Sequence, residues 1–85
     1  MSREQRIQEK LTKALSPTSL AVRDVSNEHH GHAGWRESGE THFEVDIASP
    51  AFEGQTRVAA HRLVNEALAD ELQSGLHALQ IRILR

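Results

Sequence analysis

The chain has 85 residues, 38% apolar and 26% charged, with twelve acidic and ten basic side chains, six histidines and no cysteine. That describes one small domain with a modest core and little room for a deep, dry catalytic cleft. The missing thiols exclude disulfides, thiolate nucleophiles and any metal site held by cysteines of this chain alone. A formal net charge of −2 argues against a strongly basic nucleic-acid binder, and no apolar run exceeds three residues, which argues against a membrane span.

The opening Met1-Ser-Arg-Glu-Gln-Arg6 has no apolar stretch behind its charges. No signal peptide is expected, and the expected location is the cytoplasm. Ser2 and Gln5 have the spacing of a capping box. Ile7, Leu11, Ala14 and Leu15 then form the apolar stripe of a first helix. Ser16-Pro17 ends it, because proline disfavours a helical conformation at the residue before it. Leu20 to Val25 alternate loosely and predict a strand. From His42 to Ile47 the alternation is clean, with Phe43, Val45 and Ile47 on one side and His42, Glu44 and Asp46 on a wet side. Ser49-Pro50 and Phe52-Glu-Gly54 predict a turn. Ala60, Leu63, Val64, Ala67, Leu68 and Leu72 form a second helical stripe, as one helix or two short ones, stopped by Gly75. Leu79, Ile81 and Ile83 alternate with Gln80 and Arg82 in a third strand. The order α-β-β-α(α)-β predicts a single α+β domain over residues 1–85, with helices on one face of a three-stranded sheet.

The compositional oddity is histidine. His29, His30 and His32 fall in the segment Glu28–Thr41, which also carries Gly31, Gly34, Gly39 and Trp35. Connections longer than ~12–15 residues are usually functional or disordered. Neutral imidazole is the commonest metal ligand, and a short histidine-rich tract reads as metal binding. The competing reading is a flexible loop whose histidines are merely polar. Trp35 either folds back on the domain or touches a partner. His61 lies roughly 80–90° from the centre of the second stripe, at the border of core and solvent. It is either a boundary histidine or a ligand held on a rigid element. His42 and His77 read as structural or solvated. Two imidazoles leave a tetrahedral metal two ligands short. Water, Glu28, Glu40 or a second protein would have to supply the rest. Imidazole also replaces thiolate on some [2Fe–2S] clusters, so the spacing allows a shared cluster without selecting it over zinc.

Gly39-Glu-Thr-His42-Phe43, Phe52-x-Gly54, His61-Arg62-x-Val64-Asn65 and Glu71-Leu72 with His77-Ala78-Leu79 together resemble the BolA family, over essentially the whole chain. The Gly31-His32-Ala33-Gly34 loop is similar to the subtype with a long, histidine-bearing loop. The resemblance implies a single BolA-like domain of class II KH-like fold. It also implies a heterodimer with a cytosolic monothiol glutaredoxin around a [2Fe–2S] cluster. His61 would be one ligand and His32 the loop ligand, with His30 the runner-up and His29 beside them. The glutaredoxin cysteine and the glutathione thiol would supply the thiolates, so the isolated chain would hold no cluster. Arg62 would favour the anionic cluster or glutathione by charge, and Trp35 would be a further partner contact. Family members often carry Arg where this chain has Ala60.

The expected function is therefore a non-enzymatic adaptor in iron–sulfur trafficking or iron and redox regulation. No Ser/His/Asp arrangement, Walker loop or paired catalytic carboxylates can be made out. Histidine ligands must be deprotonated, so a shared cluster should loosen as pH falls through the imidazole range near ~6–6.5. The same resemblance offers a DNA-binding transcription regulator as the alternative. KH domains hold nucleic acid with a Gly-x-x-Gly loop, which Ala60 to Gly75 lacks. Arg57, Arg62, Arg82 and Arg85 are the available basic patch. A zinc module built on the loop histidines is a third reading. The free chain is expected to be a monomer or weak dimer.

Overall fold

A computed structural model of the chain describes residues 2–26 and 41–84. In chain order the elements are α1 (Arg3–Leu15), β1 (Ser19–Asp24), β2 (His42–Ala48), a 3-10 turn (Pro50–Phe52), α2 (Arg57–Ala67), α3 (Ala69–Gln73) and β3 (Ala78–Ile83). The sheet order is β1-β2-β3. β1 runs antiparallel to β2 and β3 parallel to it. A parallel pair needs a crossover, and α2 with α3 provides it.

α1 begins on the predicted capping box: the Ser2 hydroxyl accepts from the Gln5 N–H, and the Gln5 side chain accepts from the Ser2 N–H. Its buried ridge is Arg3, Ile7, Leu11 and Leu15. Ala14, expected on that stripe, is exposed, because spacing by fours makes a ridge too narrow to include it. Ser16 closes the helix in the left-handed region (φ 45°), with its N–H on the Thr12 carbonyl. The Ser49 hydroxyl donates to the Leu15 carbonyl and ties the end of α1 to the end of β2.

The second helical stripe is two helices, broken at Leu68 (φ −106°, ψ 13°). The break shifts the phase of α3 relative to α2: Leu72 is 37% exposed, and Glu71 takes the inward position at 4%. Gly75 then turns the chain at φ 127°, and a Cβ there would meet Arg3 Nη2 at 3.2 Å. The dihedral favours glycine, and a Cβ would also crowd the guanidinium beside it.

The register Val22↔Val45↔Ile81 puts one face of all three strands under the helices. Phe43, Val45 and Ile47 there meet Ile7, Leu11, Phe52, Val64 and Leu68 in one cluster. The other face carries Arg23, Glu44, Asp46, Gln80 and Arg82. Among the described residues no helix is long and apolar enough to cross a membrane.

Candidate functional site

Residues 27–40, with His29, His30, His32, Trp35, Glu28 and Glu40, lie outside the described residues. The residues that flank that segment, Ser26 and Thr41, are described, and they meet. After β1, Asp24 Oδ1 accepts from the Ser26 N–H at 3.0 Å and from its hydroxyl at 2.6 Å. This is the Asx turn that Asp-x-Ser favours. The buried Ser26 Oγ in turn accepts from the N–H groups of Thr41 (3.1 Å) and His42 (3.2 Å). One hydroxyl therefore holds the outgoing and returning strands together, beside the Val25 N–H bond to the His42 carbonyl at 2.8 Å.

The Thr41 carbonyl continues the junction, accepting from the N–H groups of His77 (2.8 Å) and Ala78 (3.0 Å). The Thr41 hydroxyl and His42 Nδ1 share a hydrogen bond of 2.8 Å. The His42 and His77 rings lie 5.4 Å apart between centroids, tilted by 52°. Alternation puts His42 on the wet side of its strand, yet it is only 3% exposed. The Thr41 hydroxyl bonds it and the His77 ring lies against it. His77 itself is exposed. The segment that carries the clustered histidines thus leaves and returns beside His42 and His77.

His61 is elsewhere. It is half-buried on α2, in a groove of about 470 Å³ formed with Arg57, Ile81, Arg82, Ile83 and Leu84. The near end of β3 is Ala78, opposite His42, and the far end is Ile83, opposite Ile47. Five steps at ~3.3 Å separate the two by about 16 Å along the strand. The fold brings His77 and His42 to the base of the 27–40 segment and carries His61 towards the opposite end of β3. Arg62 is exposed, and neither it nor Arg57 has a side-chain partner among the described residues.

Two carboxylates organise the charge. Glu71, with 5% side-chain exposure, meets Lys10 Nζ at 2.7 Å and Arg3 Nη1 and Arg6 Nε at 3.2 Å. Burial pushes its pKa up, but hydrogen bonds and charge from Arg6 and Lys10 outweigh that and hold it below its ordinary 4.5. Arg3 also donates to the carbonyls of Glu71 (3.0 Å) and Ser74 (3.2 Å). On the open face, the hydrogen bond from Arg82 is the main cause that lowers the pKa of Asp46. Desolvation opposes it, and Arg23 adds to it. Asp46 reciprocally raises that of Arg82. Among the described residues no group of three or more His, Asp or Glu side chains is placed to hold a metal ion.

Sequence reasoning missed Asp24 and Ser26, and it used Thr41 and Glu71 only as marks of the family resemblance, with no role assigned to them. Asp-x-Ser at a strand end was a readable signal for the first two. A carboxylate three residues after Leu68 on an apolar stripe was a readable signal for Glu71.

A family model described as BolA-like protein matches residues 11–84. The chain belongs to the BolA family. Two curated relatives are from Arabidopsis thaliana. SufE-like protein 1, chloroplastic/mitochondrial, is 55% identical over 94% of this chain and 23% of its own length; Protein BOLA1, chloroplastic, is 51% identical over 94% and 51%. This BolA-family chain therefore spans about half or less of those relatives. A relative from Vibrio cholerae, 43% identical over 88% of this chain and 67% of its own length, is named DNA-binding transcriptional regulator BolA. The solved BolA domain of SufE1 from Arabidopsis thaliana superposes with a TM-score of 0.86 at 52% identity, covering 98% of this chain and 91% of that one. The small α+β domain with a mixed three-stranded sheet is the BolA architecture.

Proposed function

We propose that this BolA-family chain is a non-enzymatic adaptor. It binds a monothiol glutaredoxin and shares a [2Fe–2S] cluster with it through His77 and a histidine of the 27–40 segment. The observation that carries the reading is the closure of that segment's two ends beside His77, through Ser26 and the Thr41 carbonyl. The resemblance pointed to His61. The distance of His61 from this closure favours His77 as the fixed ligand instead. His32 remains the first choice in the segment and His30 the second, with Trp35 and Arg62 as contacts to the partner.

The donor chemistry fits half a site. This chain offers imidazoles and no thiolate, and two imidazoles opposite two thiolates raise a cluster's potential. The glutaredoxin cysteine and glutathione complete the set. A cytoplasmic setting, reducing enough to keep those thiols free, goes with this reading. When bound, the cluster supplies the redox and transfer chemistry. The chain's own part is to hold His77 at a fixed strand end and to present a second imidazole opposite it.

The test titrates the protein into cluster-loaded monothiol glutaredoxin with glutathione, followed by visible absorption and circular dichroism. The wild type is expected to induce a new spectrum. His77→Ala is expected to lose it and His61→Ala to retain it, while His32→Ala and His30→Ala identify the second ligand. A spectrum unchanged in His77→Ala but lost in His61→Ala would return the ligand to α2. No change with wild type would end the adaptor reading. Metal content of the protein purified alone separates it from a zinc module.

DNA binding is the second reading, favoured by the Vibrio cholerae relative's name and by Arg57 and Arg62, which have no partner among the described residues. Against it, α2 and α3 join through Leu68 alone, with no Gly-x-x-Gly loop. No measurable binding at ~50 mM salt would dismiss it, and a steep fall of affinity with salt would support it.

A further inference from the structure

The outer edge of β3 has hydrogen-bonding capacity that the described fold does not use. The Ala78 N–H bonds the Thr41 carbonyl, and the Leu84 N–H bonds the Ile47 carbonyl. These bonds set the phase of the parallel ladder: even-numbered residues of β3 turn their backbone groups to β2. The N–H and C=O groups of Leu79, Ile81 and Ile83 therefore face outward, where no strand lies among the described residues. Exposed edges are usually blunted by proline, a bulge or inward charge. β3 reads Ala-Leu-Gln-Ile-Arg-Ile, and its single charge, Arg82, is bound to Asp46 on the open face.

The flank of this edge is a groove rather than open solvent. Ile81, Ile83 and Leu84 line it, Leu84 at 47% exposure, and Arg57 and His61 of α2 form its other wall. Among the described residues no carboxylate lines it, and Arg57 has no partner. An apolar floor, a cationic wall and an open strand edge match the recognition mode in which an extended peptide adds a strand. Main-chain bonds then give affinity, and alternating side chains give selectivity.

We propose that the β3 edge and its groove dock an extended, acidic segment of a partner protein as a fourth strand. Its carboxylates would face Arg57 and His61, and its apolar side chains would cover Ile81, Ile83 and Leu84. A second copy of the chain is a poorer occupant, because a two-fold pairing of β3 edges would bring the same cations together. The side-chain groove is at the end of β3 remote from His77, the site uses neither His77 nor the 27–40 segment, and it does not depend on the cluster reading.

The experiment uses the full chain and three labelled octapeptides: Thr-Glu-Thr-Val repeated twice, which sets Glu and Val on the same face of an extended strand, the same peptide with Lys in place of Glu, and the Glu–Val peptide N-methylated at every second residue. The Glu–Val peptide is expected to bind, to weaken with salt, and to slow amide exchange at Leu79, Ile81 and Ile83. The Lys and N-methylated peptides are expected not to bind. Arg57→Glu is expected to weaken the Glu–Val peptide by about tenfold with an unchanged urea midpoint, since an acidic residue suits the first turn of a helix. No binding of the Glu–Val peptide at ~1 mM, well above micromolar recognition, overturns the proposal. Equal binding of the Lys peptide also overturns it. Protection of the same three amides that grows with protein concentration, without peptide, would overturn it in favour of a second copy as the occupant.

Discussion

The end of the sheet where β1 leaves and β2 begins and the outer face of α2 at the far end treat polar side chains in opposite ways. At the end where β1 leaves and β2 begins they are bound to one another: Asp24 to Ser26, Ser26 to the backbone of Thr41 and His42, Thr41 to His42 and His77. The seam that leads into this end is equally closed, with Arg3, Arg6 and Lys10 on Glu71. At the far end Arg57 and Arg62 have no partner among the described residues, and His61 borders an open groove. A buried polar group must be satisfied or it costs free energy, whereas an exposed one stays available. The closed end is therefore a rigid frame around one exposed imidazole, and the far end is a surface whose charges are free to meet a partner.

Substitutions should separate the ends by size of effect. Glu71→Ala removes the one carboxylate that meets three cations, among them the buried Arg3, and is expected to cost about 3–5 kcal/mol in urea unfolding. A loss under ~1 kcal/mol, the scale of a surface pair, would mean that the seam is not an anchor. Ser26→Ala leaves the Thr41 and His42 N–H groups without their acceptor and should cost about 1–3 kcal/mol. Faster amide exchange at those two residues would locate the loss at the closed end. Acid sharpens the contrast. Because the Glu71 carboxyl is held below 4.5, its contribution is complete above that pH and is lost as pH falls through the folded value. The wild type should lose part of its stability below about pH 4.5, and Glu71→Gln should lack that part. The smallest effects come last: Asp46→Asn, at a half-buried carboxylate paired with the exposed Arg82, should cost no more than the surface-pair scale, and Arg57→Ala, at an exposed charge, should leave the urea midpoint within scatter. A clear loss in Arg57→Ala would show that the far end is closed too.

Much of this was legible in the sequence. The capping box, the 7-11-15 ridge and the alternation of β2 each rest on contacts a few residues apart, which local spacing encodes. What spacing reports is a face. It does not report an end, and that is why the sequence reading placed His61 ahead of His77: His61 has the right periodicity for a presented ligand. Only the parallel pairing of β3 with β2 shows which histidine stands beside the base of the 27–40 segment. The burial of His42 and Glu71 escaped for a related reason. Both sit where alternation or helical phase points outward or lapses, and tertiary hydrogen bonds hold them in. The clustered histidines, the strongest compositional signal, lie outside the described residues.

The Ser26 closure also makes the intervening segment an exchangeable cassette. Where β1 meets β2, the register is held by contacts of the flanking residues themselves, Ser26 Oγ to the Thr41 and His42 N–H groups and the Val25 N–H to the His42 carbonyl. Doubling a flexible loop's length adds only about 0.6 kcal/mol of closure entropy. A domain built this way can accept longer, shorter or differently liganded inserts at residues 27–40 while β1, β2 and the start of β3 keep their places. Such a scaffold can change what it binds at one site without being refolded around it.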